Sequence, residues 1–259
     1  GIPIPKTIYF SDALSIDKER IDYPCVIKPS LSRVLINGRW IETHVQIVRS
    51  EEELIEVLNG NAYLNSTPFM IQEFIEGHGA GIFTYYQHGQ GKVFFAHKRI
   101  REKPPQGGVS VLSESAAVDP MMRTYAEKLL DYVTWHGAAM IEFRISRGGT
   151  PYLMEINTRL WGSLQLAIDS GIDFPSLLLE GEQVIIPEIT SFKQGQQLRW
   201  LLGDLDNLYL TWKRADLSKM DKLRHTFDFA VPNFKNRKHE VNRIYDIQPF
   251  WFELKQYFH

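Results

Sequence analysis

The 259-residue sequence predicts an α+β fold with largely antiparallel sheets. Strand-like and helix-like segments mix without strict alternation, and tight turn signals at 88–91 and 148–149 join neighbouring strands. Capping residues mark helix starts clearly enough to separate the two classes.

Taken in order, YPCVIKP at 23–29 reads as a short buried strand, and HVQIV at 44–48 as a second. Ser50 followed by Glu53 forms a capping-box pattern that starts a helix over 51–58. FMIQEF at 69–74 is a strand, and a hairpin follows from GIFTYYQ through HGQG to KVFFAHKRI. EKPPQGG at 102–108 is a loop without periodicity. Asp119-Pro120 is an N-cap followed by proline, and Gly137 is placed to end that helix. LWGSLQLAIDSG is an amphipathic helix closed by Gly171, and residues 198–223 read as helical.

Hydrophobic residues make up 44% of the chain and charged ones 23%, an ordinary globular balance with room for one large core or two lobes. A net charge of −2 gives no reason to expect a nucleic-acid or membrane partner. A single cysteine, Cys25, cannot form an internal disulfide, which points to a reduced, cytoplasmic setting.

Two apolar runs, AMIEFRI and YLMEINT, flank Gly148-Gly149, and each carries a glutamate in its middle. With the glycine pair as a two-residue turn, Arg147 faces Thr150 and Glu142 falls opposite Glu155, with Asn157 two residues further on that face. Like charges set against each other are destabilising. A hard divalent cation reverses the sign, and two carboxylates with an amide oxygen suit Mg²⁺. A slipped register, or neutralisation by Arg144 or Arg159, is the competing reading.

Glu142 with Glu155-Ile156-Asn157-Thr158-Arg159 resembles the metal-binding hairpin of the ATP-grasp enzymes. Three upstream segments resemble further ATP-grasp motifs in the same order: Gly1–Thr7 the lead-in, Val26-Ile27-Lys28-Pro29 the phosphate-contacting lysine strand, and Met70–Gly77 the adenine-reading hinge. Residues 97–108 are similar to carbamoyl-phosphate-synthase-like carboxylate–amine ligases. The resemblance covers about residues 1–180. It implies the ATP-grasp fold, two α+β lobes clasping ATP: a smaller one over 1–68 and a larger one over 69–189, followed by a helical, aromatic extension over 190–259.

What the resemblance implies for individual residues is specific. Lys28 meets the α- and β-phosphates; Gln72, Glu73, Phe74 and Ile75 read adenine, with Met154 packed on its ring. Glu142, Glu155 and Asn157 hold Mg²⁺, with Mn²⁺ as the alternative ion. Arg159 contacts the γ-phosphate and the acyl-phosphate-like transition state. His97, Arg99 and Arg101 share one face by alternation, and Arg99 is the preferred anion contact. His78 and His88 read as surface residues in glycine-rich turns.

The implied activity is an ATP-dependent ligase joining a small carboxylate to an amine or thiol through an acyl phosphate. Carbamoyl-phosphate-type phosphorylation of bicarbonate or carbamate is one alternative, and a nucleotide-binding module without turnover another. A homodimer is left open. SLSRVLINGRWIE departs from the family's glycine- and serine-rich flap, so phosphate cover passes to Ser30, Ser32 or Arg33 or the flap has changed its function. No counterpart of the small domain and lysine that precede the lead-in is present, so the chain reads as a domain of a longer enzyme.

Overall fold

The computed structural model describes all residues except Gln106, Phe234 and His259, so Gln106 of the expected loop lies outside the described residues. The chain divides into two compact units, 1–76 with 146–152, and 77–145 with 153–259.

The first unit is built on a four-stranded sheet in the order β1-β6-β2-β5, from β1 (Thr7–Phe10), β2 (Cys25–Pro29), β5 (Gln46–Val48) and β6 (Phe69–Glu73). Its registers are antiparallel, with Lys28 beside Met70 and Thr7 beside Gln72. Between β2 and β5, β3 (Arg33–Ile36) and β4 (Arg39–Glu42) form a separate hairpin. Asn37 and Gly38 have φ of 50° and 74°, the left-handed pair that a two-residue turn requires. The atypical flap segment is therefore an ordered hairpin. Helix α1 (Glu51–Gly60) starts where expected, with Ser50 Oγ accepting from Glu53 N at 3.3 Å. The return bond goes elsewhere: Glu53 Oε2 accepts from Arg49 N at 2.7 Å. Leu54 of α1 is fully buried against Cys25, Ile27, Val48 and Ile71, which contributes about 2 kcal/mol. Because β6 pairs with both β1 and β2, this unit continues to Glu76 instead of stopping at 68.

In the second unit a seven-stranded sheet has the order β11-β10-β7-β8-β9-β12-β13. Its strands are β7 (Gly77–Gln87), β8 (Gln90–Lys103), β9 (Val109–Ala116), β10 (Gly137–Ser146), β11 (Pro151–Asn157), β12 (Gln197–Arg199) and β13 (Arg237–His239). Helix α2 (Pro120–Tyr132) packs one face with Met122, Ala126 and Leu130 against Ile82, Phe94 and Ile141. Asp119 caps it, accepting from Met121 N and Met122 N at 2.9 Å. The helix ends earlier than expected: Thr134 takes φ 49°, and Gly137 instead opens β10. On the other face, α3 (Leu164–Asp169) and α4 (Phe174–Glu180) bring Leu166 and Phe174 to Phe83, Phe95 and Trp161.

The last segment is part of this unit. β12 pairs with β9 and β13, so Leu198 and Arg199, read as helical from sequence, are in a strand. The helices α5 (Leu201–Lys213), α6 (Lys219–Ala230) and α7 (Gln248–Tyr257) complete the chain. Helix α5 buries Asp204, Asn207 and Thr211, a polar stripe at helical spacing, while Leu205, Tyr209 and Trp212 are exposed. What receives that stripe is a basic strand, β8.

Candidate functional site

Strand β8 carries His97, Arg99 and Arg101, and a bulge separates them. Arg99 pairs with Ser113 and Arg101 with Leu112, so Ile100 is the extra residue. An inserted residue reverses alternation beyond it. His97 and Arg99 keep one face, while Arg101 turns to the other, correcting the reading that all three share a face. Arg101 meets Asp204 of α5 through Nε–Oδ1 at 2.5 Å and Nη2–Oδ2 at 2.6 Å.

Arg99 points into the other face and is largely buried, with 16% of its side chain exposed. Its Nη2 donates to Glu142 Oε2 at 2.8 Å, and its Nη1 donates to Glu102 Oε1 at 3.1 Å and to Gly108 O at 3.2 Å. Burial works against the guanidinium charge, but Glu142 and Glu102 outweigh it and raise the pKa above its ordinary value. One cation between two carboxylates leaves a net negative charge, the setting that a further cation favours.

The path from Arg99 to Glu142 crosses β7, which lies between β8 and β10. Glycine makes that crossing short. A Cβ on Gly79 would sit 3.3 Å from Arg99 Nη1 and 3.5 Å from Glu102 Oε1. Gly81 lies opposite His97, and a Cβ there would sit 3.7 Å from its Nε2. Gly77, Gly79 and Gly81 alternate along β7, so one face of the strand is bare. Glu102 and this glycine stripe were missed as site features; the two-residue glycine period was the available signal. The segment containing His78 is strand rather than turn, whereas His88 is in the β7–β8 turn.

His97 is buried, and burial together with Arg99 pushes its pKa down to about 3, so the ring is neutral. Its Nδ1 lies 3.4 Å from Ser163 Oγ, and Nε2 is buried with no hydrogen-bond partner among the described residues.

The glutamate hairpin turns one residue differently from expectation. Ser146 N donates to Thr150 O at 2.9 Å and Gly149 N to Ser146 O at 2.9 Å, with Gly149 at φ 83°. Three residues, 147–149, form the turn, so Arg147 does not face Thr150. The left-handed glycine sits at the third position, which suits a turn with a bulge. Carried outward through an unbulged ladder, this sets Met154 beside Glu142 and Glu155 one position along. Met154 then shares the Glu142 face. Glu155 is exposed and Asn157 half-buried on β11, the sheet's edge strand, and Glu155 has no ion pair among the described residues. Arg159 is exposed just beyond, with Nη1 donating to Leu160 O at 3.3 Å.

In the first unit, Lys28 Nζ donates to Gln72 Oε1 at 2.6 Å, and Gln72 Nε2 donates to Thr7 Oγ1 at 3.1 Å. Gln72 thus orients the lysine. Glu73 is exposed; its N–H donates to Lys6 O at 2.8 Å and its Oε2 accepts from Lys6 N at 3.1 Å. Phe74 N donates to Pro24 O at 3.3 Å, and Ile75 is buried. A shallow, open depression beside this strand is lined by Lys6, Ile8, Asp22, Cys25, Ile71 and Glu73, with Gln72 at its margin. Cys25 and Ile71 alternate with Lys28 and Gln72 along their strands, so most of that lining lies away from the lysine.

The family model described as ATP-grasp in the biosynthetic pathway with Ter operon matches residues 65–202. The structure is similar to an L-amino acid ligase from Bacillus licheniformis, at 22% identity and TM-score 0.52 over 69% of this chain and 43% of that one. It is also similar to a biotin carboxylase from Campylobacter jejuni solved as a β,γ-ATP complex, at 21% identity and TM-score 0.57 over 76% and 46%. A third similar structure is the biotin carboxylase domain dimer of a Hydrogenobacter thermophilus 2-oxoglutarate carboxylase with MgADP, ADP and bicarbonate, at 16% identity and TM-score 0.54 over 75% and 46%. The chain spans less than half the length of these three proteins. No curated protein sequence matches it.

Proposed function

Because this chain belongs to the ATP-grasp family, we propose that it binds Mg·ATP and serves a ligase that joins a carboxylate to an amine through an acyl phosphate. The observation that carries the reading is the Arg99–Glu142 pair at 2.8 Å on the glycine-bared face, with Glu102 as a second carboxylate. A carboxylate suited to a hard cation stands beside a guanidinium suited to a phosphorylated intermediate.

Glu142, Glu155 and Asn157 carry the hard oxygens that suit magnesium, and Glu142 already uses Oε2 for Arg99. The three-residue turn, carried through an unbulged ladder, sets Glu155 and Asn157 on the face opposite Glu142. With a bulge in β11 that returns them to the Glu142 face, the three would hold the ion, which would supply charge neutralisation at the β- and γ-phosphates. Lys28, steered by Gln72, neutralises the α- and β-phosphates. Backbone groups around Glu73–Ile75 read adenine, with Met154 against the ring.

In the first step a substrate carboxylate oxygen attacks the γ-phosphorus and ADP leaves, giving an acyl phosphate. In the second, the amine attacks the acyl carbon, phosphate leaves and the amine loses a proton. Arg159 and Arg99 stabilise the charge on the transferring phosphoryl group, where fixed cations contribute most.

Thermal unfolding with and without Mg·ATP tests the binding. Millimolar Mg·ATP should raise the Tm, since a ligand at 100 times its Kd stabilises by about 2.7 kcal/mol, and Glu155→Ala should weaken the response. No shift overturns the reading. Phosphate release across a panel of amino acids then separates a ligase from a silent binder. Release that needs bicarbonate, with no carboxylate–amine pair, would favour carbamoyl-phosphate-type chemistry.

A further inference from the structure

The Ile100 bulge that separates Arg99 from Arg101 returns Lys98 and Arg101 to the same face, since they pair with Glu114 and Leu112. Two rows of side chains then cross the sheet beneath α5. One runs Lys98, Glu114, Gln197, Arg237, and the other Arg101, Leu112, Arg199, His239. The first row is bonded end to end: Lys98 Nζ to Glu114 Oε1 at 2.6 Å, Gln197 Nε2 to Glu114 Oε2 at 2.7 Å, and Arg237 Nε to Gln197 Oε1 at 2.9 Å. In the second, Asp204 takes Arg101 on both oxygens and Arg199 Nε on Oδ2 at 2.6 Å.

Four cations therefore share two carboxylates, Glu114 and Asp204, whose oxygens are all engaged. Arg237 is left with neutral acceptors, Gln197 Oε1 and Val231 O. Arg101 Nη1, Arg199 Nη1 and Arg237 Nη2 make no hydrogen bond among the described residues, and none is among the sealed unpaired atoms. His239 Nδ1, beside Arg199, is sealed and has no hydrogen-bond partner among the described residues. We propose that this cluster is a second anion site, independent of the nucleotide residues, in which Arg101, Arg199 and Arg237 take a phosphate-type oxyanion. Guanidinium donors match such oxygens in both charge and geometry.

The electrostatics agree. Burial, then repulsion from neighbouring arginines, lowers the pKa values of Arg237 and His239; Arg199 is lowered by burial and Arg101 despite Asp204. Two further carboxylates lie nearby: Asp228, which acts on His225, and Glu240, whose N–H donates to Arg199 O at 2.9 Å and whose pKa burial and Glu253 push up to about 7. Bound negative charge relieves this repulsion.

Titration with inorganic phosphate, at ionic strength held constant with chloride, tests the site by calorimetry and Tm. Saturable binding is expected, weakened at least tenfold in Arg237→Gln and to a lesser degree in Arg237→Lys, with the Mg·ATP response of both unchanged. Lys28→Met should do the reverse, keeping the phosphate response while weakening that to Mg·ATP. The proposal is overturned if both Arg237 variants bind phosphate like the parent, or if Lys28→Met abolishes phosphate binding. Binding of glutarate with none of phosphate overturns the ligand class, and a shift that chloride alone reproduces overturns the site.

Discussion

At Gly79 the absent side chain is what lets Arg99 reach across β7 to Glu142. A Cβ would meet Arg99 Cδ at 3.4 Å and Nη1 at 3.3 Å, closer than most side chains tolerate. Gly79→Val should therefore displace the guanidinium with little cost to the fold, because φ there needs no glycine. Misplacing a charged group by about 1 Å costs up to about 100-fold in rate. We expect ATP-dependent phosphate release to fall at least about tenfold with the Tm nearly unchanged; parent-like release in Gly79→Val would remove Arg99 from the chemistry. Cys25 gives a second residue-scale prediction. The thiol is 1% exposed, and burial raises its pKa to about 11. Native protein at pH 8 should resist thiol reagents and label fully in urea. A raised thiol pKa means the native state holds its proton longer, so this contribution to stability is intact below the ordinary value and is lost as pH rises through about 11. A urea midpoint that rises across that window contradicts the assignment. Arg99, Glu142 and Lys28 could be nominated from sequence by residue type and setting. Glu102 could not, because its place beside Arg99 depends on a bulge between them.

That bulge is the element-scale device that divides a basic strand between two tasks. Without Ile100 as an extra residue, Arg101 would follow Arg99 onto the Glu142 face, and Asp204 of α5 would keep only Arg199. Asp204 is fully buried, with its oxygens committed to Arg101 and Arg199. Asp204→Asn keeps the shape and removes the charge, leaving two half-satisfied guanidiniums in the interior. Breaking a buried pair of this kind costs about 3–5 kcal/mol. The urea midpoint should fall by about 1–2 M at the slopes usual for a chain of this size, and a change below about 0.5 M would mean the cluster is solvated rather than buried. Elements with local signals were legible: the Ser50 and Asp119 caps, the β7–β8 hairpin and strand β2 all follow from nearby residues. β12 was not, since a three-residue strand exists only through its partners β9 and β13. The glutamate hairpin failed by a single residue because Arg147-Gly148-Gly149 can turn over two residues or three, and the left-handed Gly149 decides between them.

For the whole molecule, the question is where the folding unit ends. Sequence character changes near 190 and the family match stops at 202, so a cut at either point looks natural. The packing argues otherwise. Removing 190–259 strips β12 from β9, exposes that strand edge, and takes Asp204 and the cover of α5 from Arg101. A long unpaired strand edge promotes aggregation. The 1–189 chain should therefore be insoluble or fail to unfold cooperatively. A cut after Ile247 is different in kind. It removes α7, which has no buried residue and is held by polar contacts from Glu253 to Trp200 and from Tyr257 to Asp206. Two such bonds amount to about 1–3 kcal/mol, so the 1–247 chain should remain folded and keep its Tm response to Mg·ATP. Gel filtration and thermal unfolding of the two truncations decide the matter. If 1–189 proved monomeric and cooperative, the C-terminal segment would be an appendage; if 1–247 also collapsed, α7 would be bound through its aromatic residues rather than these two contacts.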